Sequence, residues 1–168
     1  MYLNRELYGG TIPWVGSHAI DLVYWISQKK FLEVYSVQSR KANQNHNDLE
    51  ASAICNFRME DEIAASVSID YLRPTDAPTH SDNRIRIVGS DGIVEVRDKE
   101  VFLTNSRGEQ KIEFENEVNI FDEFVKKVSQ KPCDTVSAKD TFYITEASIR
   151  ARMSADKNQI VSFSHFFV

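Results

Sequence analysis

The chain has 168 residues, of which 42% are hydrophobic and 27% are charged, and its formal net charge is -5. These totals are typical of one globular domain with a buried core. The acidic balance argues against nucleic acid as the main partner, because phosphate binding requires a clustered basic surface. No apolar run is long enough to cross a membrane, and the N-terminus lacks a signal-peptide pattern. We therefore expect a cytoplasmic protein without a membrane partner.

The cysteines and histidines form no recognisable binding pattern. Two cysteines, Cys55 and Cys133, are too few and too far apart to indicate a disulfide framework or a zinc site. The four histidines do not fall at metal-ligand spacing: His18, His46, His80 and His165. We expect no metal in this chain.

The first predicted element is a helix that follows a glycine-rich loop. The stretch GGTIPWVGSHAIDLVYWI begins at Gly9, and its apolar spacing predicts a helix from His18 to about Ser27. Ser17 is the expected N-cap, which places His18 in the first turn.

Strands follow this helix. FLEVYSVQSR is rich in β-forming residues, and LEASAICNF and EIAASVSIDYL alternate around the acidic turn MEDE, which predicts a hairpin. RIRIVG, IVEVRD and EVFLTN predict a second antiparallel meander.

The last third changes to helical periodicity. NIFDEFVKKVSQ carries one apolar face, and SAKD is a capping-box start for a helix that should run to about Ala155. QIVSF is a closing strand. The order predicts an α+β fold, an open and mainly antiparallel sheet with helices packed on one face.

His18 is the main candidate for chemistry. At the first turn of a helix, backbone N–H dipoles disfavour an added proton, so a neutral imidazole could accept a proton from an alcohol as a general base. The alternative is a partly buried polar helix residue paired with Asp21.

The order of these motifs resembles a known family. A glycine pair, a variable loop, Gly-x-His, an acid and then Trp25 are similar to the C-terminal domain of the glucose-fructose oxidoreductase, inositol dehydrogenase and rhizopine-catabolism (Gfo/Idh/MocA) oxidoreductases. NRIRIVGSDGIVEV, NIFDEFVKKV and the closing helix and strand extend the resemblance over nearly the whole chain from Gly9 onward.

The resemblance implies a single domain over residues 1–168 that carries the substrate site and faces a Rossmann domain holding NAD or NADP. The substrate would be a sugar, a polyol or a related hydroxy compound. His18 corresponds to the histidine that helps to remove the hydroxyl proton while hydride leaves for the nicotinamide.

Two departures from the family pattern matter. The acid expected four residues before the histidine is Trp14 here, which could stack on a sugar or the nicotinamide, or fill the loop. Asp21 could orient His18, or serve the helix dipole or an interface. The six glycines never form G-x-G-x-x-G, so we expect the Rossmann domain of the family to be missing from this chain and no cofactor to bind the chain alone.

Two hypotheses about function follow. The chain could be the catalytic half of an NAD(P)-dependent dehydrogenase, as a fragment of a longer protein. It could instead be a non-catalytic oligomerisation or ligand-binding module that retains the fold.

Further residues are weaker candidates for the site or for assembly. Arg73 and His80 lie in a polar loop between two strands, where a substrate could bind or where they could be surface residues. The small side chains on the outer face of the hairpin, such as Ser66, leave a flat surface. Many members of the family use this open face to form dimers and tetramers, so the resemblance implies a homodimer or tetramer. A solvated antiparallel face is the alternative.

Overall fold

The computed structural model describes residues 4–80, 82–114, 119–132 and 137–163. Cys133 and His165 lie outside these residues. The chain divides into two compact units, Met1–Leu72 with Val136–Val168, and Arg73–Thr135.

The described elements follow one another with short connections. In chain order they are α1 (Arg5–Tyr8), a π-helical turn (Ile12–Gly16), α2 (Ser17–Ser27), β1 (Phe31–Ser39), β2 (Ser52–Met59), a 3-10 turn (Glu60–Glu62), β3 (Ala64–Asp70), β4 (Ile85–Gly89), β5 (Gly92–Arg97), β6 (Glu100–Asn105), β7 (Gly108–Ile112), α3 (Ile120–Val128), α4 (Ala138–Lys157) and β8 (Val161–Ser162).

The strands form two antiparallel sheets. The first has the order β3-β2-β1-β8 and the second β4-β5-β6-β7. The α+β class and the open antiparallel arrangement are confirmed, with the strands divided between two sheets where we expected one. Every pairing in both sheets is antiparallel.

The predicted hairpin is confirmed, and its two faces differ in burial as the alternation predicts. Ala53 pairs with Ile69, and Cys55 with Val67. These side chains are buried, whereas the outward neighbours Ile54, Asn56, Ser66 and Ser68 are exposed. Since side chains alternate along a strand, the pattern of the sequence determines which face meets the helices.

Aromatic and small side chains fill the core of the first unit. The Phe31 ring lies 4.6 Å from the Phe57 ring and 5.7 Å from the Phe163 ring. On α4, Ala147 and Ala151 are fully buried against this core. Because α2 contributes Ile20 to the same core and the outer strand face is exposed, both helices lie on one face of the sheet.

The capping box at the start of α4 is confirmed. The Asp140 backbone N–H donates to Ser137 Oγ at 3.1 Å, and the Ser137 N–H donates back to the Asp140 carboxylate at 3.2 Å. The helix ends at Lys157, two residues beyond the expected end, where Asn158 adopts a left-handed conformation that stops it.

The meander of the second unit carries charge on one face. Arg86 lies 3.5 Å from Glu95 across two strands, and the Arg97 guanidinium lies 4.2 Å from the Phe102 ring. The sequence did not predict β7, because GEQKI lacks an apolar alternation. It is an edge strand paired with β6, and all five of its residues are exposed.

Helix α3 forms as expected, but its apolar side chains are exposed. Asn119 caps it by accepting from the Phe121 N–H at 2.9 Å. Phe121, Phe124 and Val128 are each at least 60% exposed, so their apolar stripe is open to solvent.

Gly16 allows the helical segment to approach β3 closely. A Cβ atom added at Gly16 would lie 2.5 Å from Cδ1 of Ile69, closer than van der Waals contact allows. The absence of a side chain at this position therefore sets the distance between the helix and the sheet.

We expect Gly16→Ala and Ile69→Val to be strongly coupled. Ala gains about 1 kcal/mol in helix propensity, while overpacking costs about 1–3 kcal/mol. Ile69→Val removes the clashing Cδ1, so Gly16→Ala should be at least about 1 kcal/mol less unfavourable in the Ile69→Val background. Denaturant unfolding of the four proteins measures this difference, and strictly additive free energies of unfolding would contradict the packing account.

Candidate functional site

The helix that carries His18 begins earlier than expected. Gly9 and Gly10 have positive φ angles of 82° and 98°, and the backbone is helical from Thr11 onward. The prediction that Ser17 is an N-cap is wrong. Ser17 has helical angles (φ -54°, ψ -36°), and its hydroxyl lies 3.5 Å from the Trp14 carbonyl oxygen.

This earlier start changes the electrostatics proposed for His18. The unpaired N–H groups of a helix belong to its first turn, which here begins near Thr11. Since His18 follows a complete π-helical turn, the dipole at the helix start does not act directly on its ring. Single π-helical turns are rare and are found frequently at functional sites.

One face of this helix is exposed to solvent and carries large side chains. Trp14, His18, Leu22 and Trp25 follow one another at intervals of four, four and three residues, so they share a face. Trp14 is 41% exposed and Trp25 is 59% exposed. His18 is also exposed.

Asp21 lies one turn after His18 and interacts with it electrostatically. Burial raises the pKa of the Asp21 carboxyl, the positive charge of His18 opposes that rise, and the negative charge of Asp140 adds to it. Asp21 and Asp140 are therefore close enough to influence each other.

Asp140 is held in its ionised form by its partners. The Ser137 hydroxyl and backbone lower the pKa of Asp140, and the Tyr24 hydroxyl donates to its carboxylate at 3.3 Å. The Asp140 carboxylate therefore serves the cap of α4. Asp21, three residues after His18, is the acid that could act on the His18 ring.

Arg73 and His80 lie in the second unit, apart in the chain from Trp14, His18 and Asp21 in the first. The Arg73 guanidinium donates to the Thr79 carbonyl and hydroxyl, both at 2.7 Å, and pairs with Asp82 at 3.3 Å. The Arg73 side chain therefore binds other residues of the same loop. His80 is exposed in that loop.

The sequence did not single out Glu50, which is only 1% exposed at the start of the helical segment. By the alternation of LEASAICNF, Glu50 would share the outer face with Ser52. Its burial depends on Thr11, which is distant in sequence, and no local pattern indicates that contact.

The described residues contain neither a metal-binding cluster nor a membrane-spanning helix. No group of three or more His, Cys, Asp or Glu side chains is arranged to hold a metal ion in this part of the chain. No helix within the same residues combines the length and the apolar character needed to cross a membrane.

A family model described as the GFO/IDH/MocA C-terminal domain matches residues 1–95. The chain belongs to this family. A comparison with proteins of curated function gave no match.

Solved structures of oxidoreductases share the fold. A protein from Thermotoga maritima, described as a candidate oxidoreductase, is 49% identical over 96% of this chain, with a TM-score of 0.94. An aldose-aldose oxidoreductase from Caulobacter crescentus in complex with glycerol is 16% identical over 96% of the chain, with a TM-score of 0.79. An oxidoreductase from Agrobacterium radiobacter in complex with NAD+, L-tartaric acid and magnesium is 14% identical over 88%, with a TM-score of 0.74.

The chain spans about half the length of these structures. It covers 50% of the Thermotoga protein, 50% of the Caulobacter enzyme and 47% of the Agrobacterium enzyme. The GFO/IDH/MocA domain thus accounts for one half of proteins that are roughly twice as long.

Proposed function

We propose that this domain is the substrate-binding and catalytic half of an NAD(P)-dependent oxidoreductase that acts on a sugar, a polyol or a related hydroxy compound. The observation that carries the proposal is the exposed position of His18, on a helix that follows a π-helical turn in a GFO/IDH/MocA domain. The parent protein would be longer, in line with the length of its relatives.

The proposed role of His18 is to take the proton from a substrate hydroxyl. A neutral imidazole nitrogen accepts this proton as the carbon–oxygen double bond forms, and the exposed ring leaves room for a substrate. Asp21, one turn further along α2, would orient the imidazole and stabilise it once it is protonated. Trp14 would stack on the apolar face of a carbohydrate ring.

We propose that the start of the helical segment does not hold the pyrophosphate of a dinucleotide. A pyrophosphate requires free N–H groups at a helix start, but the Thr11 N–H already donates to the Glu50 carboxylate at 3.1 Å. A second negative group would be repelled there. The proposed NAD or NADP would accept the hydride while bound to a Rossmann half, and no residue is assigned to it here.

We expect a carbohydrate-like molecule to perturb the His18 ring. The test is a titration of the isotope-labelled chain with glycerol, D-glucose and L-tartrate, followed by NMR of the histidine rings, with His18→Gln to assign the signal. At least one probe should shift the His18 signal saturably with a dissociation constant of about 1 mM, or roughly 4 kcal/mol of binding.

His46 is the internal control for this titration, because it is exposed in a turn of the same unit. Its signal should not move with the probes. Equal, non-saturating shifts of both rings would contradict a site at His18.

A second role, as an oligomerisation module, is favoured by the outer face of the first sheet. Tyr35, Val37 and Ile54 are about two-fifths exposed there, at 39%, 42% and 44%. Ser66 donates to Asn56 at 2.6 Å, so the polar groups beside them are already paired. A flat face of this composition could pack on a second copy about 10 Å away, as a homodimer or as part of a tetramer. A solvated antiparallel face is the alternative.

Ser66→Glu should dissociate such a dimer. Two like charges facing each other across a two-fold axis cost several kcal/mol when buried. Light scattering should then give the 19.3 kDa of one chain, against twice that mass for the unmodified protein. Ser90→Glu, in an exposed turn of the second unit, is the matched control and should leave the dimer intact. An unmodified chain that runs as a monomer at high concentration would rule out this interface.

A further inference from the structure

A buried carboxylate lies at the start of the helical segment that carries Trp14 and His18. Glu50 is 1% exposed, and its Oε2 accepts from the Tyr8 hydroxyl at 2.5 Å and from the Thr11 N–H at 3.1 Å. Its Oε1 lies 2.5 Å from Arg5 Nε, a contact of opposite charges rather than an aligned hydrogen bond. A buried carboxylate is expensive unless several donors surround it, and here three groups do so.

Glu50 supplies the cap that the helix start lacks locally. Thr11 provides no side-chain cap to the π-helical turn, because its hydroxyl donates instead to the Glu50 carbonyl at 2.7 Å. The N–H group of Thr11, one of the unpaired donors at a helix start, is bound by the Glu50 carboxylate from 39 residues away. A negative charge is also favoured by the helix dipole at this end.

These bonds fix the start of the helix relative to the sheet. Glu50 lies two residues before β2, and it holds both the backbone N–H and the side chain of Thr11, which is fully buried. At the other end of the π-helical turn, the close packing of Gly16 against the Ile69 side chain fixes the distance to the sheet. Trp14 lies between these two anchors, and His18 follows the second.

Two arginine side chains make further contacts near Gly9 and Gly10. Arg152 on α4 donates to the Gly9 carbonyl at 2.8 Å, and Arg5 donates to Asp156 at 2.8 Å. Burial, followed by the Glu50 contact, raises the pKa of Tyr8 to about 12, so its hydroxyl remains a donor throughout the neutral range.

We infer that Glu50 is a positioning residue, which caps the helical segment from the sheet and thereby holds the π-helical turn with Trp14 and His18 in place. Any effect of Glu50 on substrate binding rests on the function proposed above. The capping itself is a property of the fold and can be measured without any ligand.

The test is hydrogen exchange of Glu50→Gln in the full chain. Gln keeps the size of the side chain and an oxygen that can accept from Tyr8 and Thr11, but it removes the negative charge that strengthens both bonds and attracts Arg5. Weakening this cap should raise the local opening equilibrium about fivefold, so the amides from Thr11 to His18 should exchange about five times faster. The amides of α4 and β2 should change much less.

Val34→Ala is the control for a general loss of stability. Val34 is 1% exposed on β1 and is part of the same core, but no described bond joins it to Thr11. It should lower global stability without selective acceleration between Thr11 and His18. If Glu50→Gln fails to fold, Tyr8→Phe removes one donor to the same oxygen and should accelerate the same amides to a smaller extent.

The outcomes separate this inference from the proposed function. Unchanged exchange between Thr11 and His18 in the variant that folds, or acceleration equal to that in Val34→Ala, would overturn the capping role. Selective acceleration supports it, even if the unmodified chain binds no glycerol, D-glucose or L-tartrate, a result that would count only against the proposed function. Where a probe does bind, Glu50→Gln should weaken its affinity while His18 is unaltered.

Discussion

Small side chains on the helices let them lie close against the first sheet, and the position of every candidate site residue in that unit depends on this approach. Ala147 and Ala151 of α4 are fully buried on the sheet, and Gly16 leaves no room for a methyl group beside Ile69. Protein interiors are packed as densely as organic crystals, so such contacts allow little adjustment. The helix that bears His18 is therefore held by packing against the first sheet, while its opposite face is exposed.

Acidic side chains with hydrogen-bond donors around them hold the helix starts in place. Glu50, Arg5 and Tyr8 form a buried polar group at the start of the helix, and Asp140 with Ser137 caps α4 nearby in the same unit. Each of these acids is surrounded by donors. Asp21 differs, because burial and Asp140 raise its pKa and His18 is the cation that opposes this rise.

The sequence predicted the elements that depend on local patterns. Strict alternation identified β2 and β3 with the correct faces, and SAKD identified the start of α4. Contacts between distant residues could not be predicted in this way. The cap at Thr11 comes from Glu50, so the local signal at Ser17 gave a wrong helix start. The polar edge strand β7 depends on pairing with β6 rather than on its own residues. For the site, His18 is exposed and interacts electrostatically with Asp21, whereas Arg73 is engaged within its own loop. The roles assigned to these residues stay predictions.

The claim that His18 serves an oxidoreductase is tested most directly in a hybrid protein. The half of the Thermotoga maritima structure that this chain does not cover would be joined to this chain, which matches the other half at 49% identity. The hybrid would be assayed for reduction of NAD+ and NADP+ with a panel of sugars and polyols. We expect turnover with at least one of them, and a loss of about 10²- to 10⁴-fold in the His18→Ala hybrid, the usual contribution of a general base. Turnover that is undiminished by His18→Ala would contradict the account.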